Sequence, residues 1–220
     1  MIIKDTGTAF ESVAAGTHVA RCIGLTGIGT HERDWQGTKR LSSEIMITWE
    51  LPFELMSDGR PYTISAFYTR SLADKANLRH ALKNWRGRDF TADELKAFEL
   101  RNVLDKGCQV VAAENDKGKV RVTSVAGLPK GLELPDRVND LKYFDPEEWD
   151  QEAYDSLSDG IKKIINESFE YAEFSQTGEV LDANERMLAW KSRQNGQQYS
   201  GPVNGNGSAT APAIEEDIPF

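Results

Sequence analysis

The 220-residue chain is poor in the groups from which reaction chemistry is usually built. Its two cysteines, Cys22 and Cys108, form no CxxC pair, which excludes a disulfide framework and a zinc site of recognisable spacing. The three histidines, His18, His31 and His80, stand at no metal-ligand spacing, and no P-loop, GxSxG or HExxH motif is present. Carboxylates crowd residues 145–159, but such a cluster at a helix start ordinarily caps and solvates it, although two-metal nucleases also use carboxylates. The expectation is therefore no enzyme, no cofactor and no metal. No apolar run approaches the roughly 18 residues that span a bilayer, and Met1–Asp5 lacks a cationic segment leading into an apolar one. A cytoplasmic, membrane-free protein is expected.

What the chain does have is enough apolar material, 39% of residues, for one main core and a small appendage. Its net charge of −9 argues at first against a polyanionic partner. The acidity is segregated, however. Residues 1–130 hold 19 Lys and Arg against 16 Asp and Glu; residues 131–190 hold 5 against 16, and residues 191–220 hold 2 against 3. That layout fits a neutral-to-basic binding domain followed by an acidic segment that repels DNA or recruits proteins.

Periodicity supplies the elements. Thr17–Leu25 alternates Val19, Arg21, Ile23 and Leu25 against smaller residues, with Gly24, Gly27 and Gly29 leaving room for a bulge. A polar loop over Thr30–Lys39 is expected next. Ile45, Ile47, Trp49 and Leu51 then share one face of a second strand, and Tyr62–Thr69 pairs with it as a third. Ser71–Asp74 has the form of a capping box before Leu78, Ala81, Leu82 and Trp85, spaced as on a helix; Thr91–Glu94 is a second box. Cys108–Ala113 and Lys119–Val125 flank the turn Asn115–Gly118 as a final hairpin. The predicted order β1-β2-β3-α-β4-β5 is that of a five-stranded OB-fold barrel, mainly β with α, over residues 1–130. Residues 131–190 are expected to be an acidic, partly helical extension packed on the barrel. Asp145-Pro-Glu-Glu148 would start a helix there, and Ile161, Ile164, Ile165 and Phe169 would form its apolar stripe. Residues 191–213, made of Gly, Asn, Gln, Ser and Ala with two prolines, read as a disordered linker.

The last seven residues, Ile214-Glu-Glu-Asp-Ile-Pro-Phe220, place three acids before a terminal Ile-Pro-Phe. This tip resembles that of bacterial single-stranded-DNA-binding proteins and, more loosely, of phage replication proteins. The resemblance covers the tip and the style of the linker. It implies a protein that coats and protects single-stranded DNA in replication, recombination and repair, with little sequence preference. It also implies that Glu215, Glu216, Asp217, Ile218, Pro219 and Phe220 dock on basic-rimmed apolar pockets of replication and repair proteins. A phage-type member would act in the host bacterial cytoplasm, and a homo-oligomer is compatible with the pattern. The alternatives are a DNA-independent adaptor or virion-associated protein, and a strand-annealing recombination protein.

Binding a single strand takes cations for phosphates and aromatic faces for bases. The segment joining the first two strands offers Arg33, Trp35, Lys39 and Arg40, and the third strand offers Phe67, Tyr68 and Arg70. The expected helix adds a cationic stripe of Lys75, Arg79, Lys83 and Arg86; the last hairpin adds Lys117, Lys119 and Arg121, near the other loop with which an OB-fold grips its ligand. Trp49, on the Ile45 and Ile47 face, is expected in the core.

Overall fold

The computed structural model describes residues 12–196. The terminal tip and most of the expected linker lie outside the described residues. The chain divides into two compact units, Met1–Leu181 and Asp182–Phe220.

The first unit runs β1 (Gly16–Trp35), β2 (Thr38–Leu55), β3 (Pro61–Thr69), α1 (Asn77–Arg86), α2 (Ala92–Lys96), β4 (Gly107–Glu114), β5 (Val120–Gly127), β6 (Lys142–Phe144), α3 (Gln151–Asp155), α4 (Asp159–Ile165) and α5 (Phe169–Thr177). A 3₁₀ turn, Leu100–Val103, precedes β4. One six-stranded sheet results, ordered β3-β2-β1-β4-β5, antiparallel except for β6, which pairs in parallel with β1. The sheet is open: no ladder joins β3 to β5 among the described residues. The second unit contributes α6 (Ala183–Gln194), whose capping box sets the Asp182 side chain on the backbone N–H of Glu185.

The alternation read in β2 sets the core. Ile47, Trp49 and Leu51 are almost wholly buried, with Leu25 of β1 and Val110 of β4 beside them. Helix α1 closes this core with Leu78, Leu82 and Trp85, each burial being worth about 1.5–3 kcal/mol. The Trp85 indole donates to the Gly107 carbonyl at 2.9 Å, which ties the helix to the start of β4. A second cluster forms around Phe144, Leu157 and Ile165, against which Trp149 and Tyr154 pack; Trp149 stacks on Phe174 at 4.6 Å.

Several expectations change. The segment Thr30–Lys39 is not a loop: β1 and β2 stay paired out to Trp35 and Thr38, and the hairpin turns at Gln36 and Gly37, both at positive φ as a type I′ turn requires. The register of β1 shifts twice, between Cys22 and Gly24 and between Gly27 and Gly29. Each bulge inverts which residues face inward, so Ala20, Cys22 and Leu25 are in the core while Arg21 is not. Ser71 does not cap α1; its hydroxyl accepts from the N–H of Ala73, and the helix begins six residues later at Asn77. Asp145 likewise starts no helix, and the cap of α3 is Asp150. The Thr91 box does form, with Glu94 answering it.

Two glycines show how tightly the acidic extension is laid on β1. A Cβ on Gly27 would stand 2.3 Å from Cδ of Pro146, and one on Gly29, at φ +91°, would stand 2.5 Å from Cβ of Ser168. Gly27→Ala is therefore expected to lower the thermal midpoint, at a cost of about 1–3 kcal/mol for overpacking. Gly160→Ala in α4, where a Cβ meets nothing within 4 Å, should be neutral or slightly stabilising. Equal melting of the two variants would contradict this packing.

Candidate nucleic-acid interface

The cross-strand register assigns faces, because residues paired across a ladder point to the same side. Trp35 pairs with Thr38, Arg33 with Arg40, Thr26 with Met46, Gly24 with Thr48, and on the far edge of β2 Met46 pairs with Phe67 and Thr48 with Ser65. All of these lie on the side opposite Ile45, Ile47 and Trp49. One face of β1-β2-β3 thus carries two large exposed aromatics, Trp35 at 65% and Phe67 at 51% exposure, with Arg33 and Arg40 between them. The two aromatics are separated by eight residues of β2, roughly 27 Å.

The turn positions Trp35. Asp34 accepts the N–H of Gly37 at 2.8 Å, locking a tip from which the indole projects. Arg33 makes a two-pronged hydrogen bond to Glu44, at 2.8 and 2.9 Å, which raises its pKa and fixes its plane on the ribbon. Lys39 pairs with Glu32 at 2.7 Å. On β3, Phe67 points outward, whereas Tyr68 packs on the core and burial pushes its phenol up to about 12.

The other expected cations are distributed differently. Arg70 grips Asp145 through two hydrogen bonds, at 3.1 and 2.9 Å, and also meets Glu147, so it fastens the acidic extension to the end of β3. Lys75 lies in the turn before α1 rather than on the helix. Arg79 pairs with Asp74 and Asp89, Lys83 with Asp89, and Arg86 with Glu94 while its guanidinium covers Phe90. Hydrogen bonding holds two of these carboxyls low: Lys83 takes Asp89 to about 2, and Arg88 takes Glu94 to about 2. Arg79, Lys83 and Arg86 of the stripe are therefore each already paired with a carboxylate at neutral pH. By contrast, Lys117, Lys119 and Arg121 are exposed around the β4–β5 hairpin and make no ion pair among the described residues. The turn itself is tied by Asn115, whose side-chain oxygen accepts the N–H of Lys117 and of Lys119 at 3.0 Å.

The sequence reading missed the middle of the face. Met46, Thr48, Thr63 and Ser65 fill it, with the hydroxyls of Thr48 and Ser65 2.9 Å apart. Beside them the stretch from Val138 to Lys142 crosses the sheet, held by Glu50. That carboxylate is fully buried and accepts the N–H groups of Val138 and Asn139 and the Asn139 side-chain amide. The period-two alternation of β2 was the available signal, since it puts Met46, Thr48 and Glu50 opposite the core residues. Chemically, the face offers stacking platforms, hydroxyls and a few cations; among the described residues no group of His, Cys, Asp and Glu could hold a metal ion.

Trp35→Ala combined with Phe67→Ala is expected to lower affinity for an oligonucleotide by more than about 1 kcal/mol, since a stacked base is worth roughly 1–3 kcal/mol. Arg79→Ala with Lys83→Ala should weaken it less, because both cations already hold carboxylates. The reverse order in an anisotropy titration would move the strand to α1. No known protein family, curated protein sequence or solved structure matches the chain.

Proposed function

We propose that the chain is a non-enzymatic single-stranded-DNA-binding protein that coats and protects the strand without marked sequence preference. The observation that carries this reading is the shared face of Trp35, Arg33, Arg40 and Phe67 on β1-β2-β3. Exposed aromatics cost solvation unless something covers them, and every base offers a π-face to stack on them.

The reading takes the fold as an OB-type barrel, whose second and third strands and two flanking loops serve as its ligand surface. Three strands, helices and a two-stranded hairpin follow one another in that order. Residues of β3, α1 and β5, among them Tyr68, Ala81 and Val125, line one cavity at the seam where such a barrel would close. The hairpin cations Lys117, Lys119 and Arg121 then flank the face at one end and the Trp35 ribbon at the other. Under the same reading the tip from Glu215 to Phe220 recruits replication or repair proteins, with Ile218 and Phe220 as apolar anchors and the acids meeting Arg or Lys.

Titration of fluorescent oligo(dT) at two salt concentrations tests the proposal. Arg40, Lys117, Lys119 and Arg121, together with Arg33 where a phosphate displaces Glu44, allow about three to five phosphate contacts, so the log–log salt slope should fall near −2 to −3.5, at about 0.7 per contact. Absence of binding at low salt would refute the proposal and leave an adaptor that does not touch DNA.

A further inference from the structure

Beside Met46 the outward face of the sheet does not continue flat. It runs into a cleft of about 560 Å³, within the usual range for small-molecule sites. One wall is the sheet, with Gly24, Thr26, Thr48 and Thr63; the other is the crossing stretch Val138–Lys142 with Leu157, ahead of α4, and Ile161 of α4. Gly24 keeps the floor flat, since a Cβ there would stand 3.2 Å from Cβ of Thr48.

We infer that this cleft receives one unstacked base of the bound single strand, so that the acidic extension is part of the DNA site. The inference rests on the function proposed above and deepens it. The chemistry fits a base more closely than a peptide or lipid. Met46, Leu157 and Ile161 supply apolar surfaces for the faces of a ring. Threonine hydroxyls both donate and accept, so they satisfy the polar edge of any base without choosing among them. Lys142 is exposed at the lining, where a phosphate next to an inserted base would lie; among the described residues its amine makes one hydrogen bond, at 3.5 Å to the Ser156 carbonyl. The carboxylate of Glu50 lies beneath the crossing stretch, hydrogen-bonded to three donor groups, and does not line the cleft. Asp140 is the one carboxylate residue on the lining among the described residues. Continuity completes the case: Met46 lines the cleft and is the ladder partner of Phe67, so a base leaving the Phe67 platform meets the cleft next.

The test uses the full chain and oligo(dT) carrying 4-thiothymidine, photo-crosslinked and mapped by peptide mass spectrometry. Crosslinks are expected in the peptides bearing Met46 or Asn139–Lys142, as well as near Trp35. Thr63→Trp, which fills the mouth from an exposed position, should weaken binding by about fivefold or more, the equivalent of one stacked base. Lys142→Ala should lower the salt slope by about 0.7, one phosphate contact. If Thr63→Trp does not fold by circular dichroism, the crosslink map and Lys142→Ala decide alone. Wild-type binding with crosslinks confined to Trp35 and Phe67, and with Lys142→Ala unchanged, would overturn the cleft while sparing the proposed function. Failure of the wild type to bind oligo(dT) would overturn both.

Discussion

Everything in the first unit hangs on β1. One strand of twenty residues pairs with β2 from Arg21 to Trp35, with β4 over its first six residues and with β6 at Gly24–Thr26. A regular strand cannot serve so many partners while presenting the same side chains to one core. Its two bulges solve this by inverting the alternation twice. Arg21 faces out where it holds the carbonyl of Pro135, Leu25 faces in, and Arg33 and Trp35 face out again. The glycines at the second bulge also let Pro146 and Ser168 come into contact with the strand. The outward aromatic face and the docking of the acidic extension are thus two results of one constraint.

Buried carboxylates finish what the bulges begin. Glu50 holds the stretch at Val138–Asn139, and Glu170 accepts both the N–H and the hydroxyl of Thr30 at 2.7 Å. A buried carboxylate without such donors would be strongly destabilising; with them it fixes where the extension crosses the sheet. The negative charge of the extension is thereby partly consumed in structure. Asp145 and Glu147 are likewise spent on Arg70, and Asp89 and Glu94 on the cations of α1. A chain of net charge −9 can in this way keep Lys117, Lys119 and Arg121 of the β4–β5 hairpin without ion-pair partners among the described residues.

Much of the fold was legible in the sequence where one physical rule acted alone. The alternation of Ile45, Ile47, Trp49 and Leu51 gave the core strand; the Asn115–Gly118 turn and the Thr91 box were each written in local chemistry. The rest was hidden for stated reasons. The ribbon at Thr30–Lys39 is exposed from Arg33 onward, so no apolar alternation marks it as a strand. Bulges scramble parity in β1. Ser71 and Asp145 carry the residues of helix caps but spend their side chains on a local turn and on Arg70. The α1 stripe looked available because its partners Asp74, Asp89 and Glu94 lie outside the helix. Within the candidate site, Trp35 and Phe67 were visible as residue types in exposed settings, whereas Met46, Thr63 and Lys142 acquire meaning only once β2, β3 and the extension are seen together.

The central claim is that a single strand lies on the outward face of β1-β2-β3. Hydrogen–deuterium exchange with and without oligo(dT) tests it most directly, because a bound strand must shield the backbone it covers. The account predicts slower exchange across 33–48 and 62–70, with α1 and α5 unchanged. Protection centred on α1, or none at saturating oligonucleotide, would contradict it.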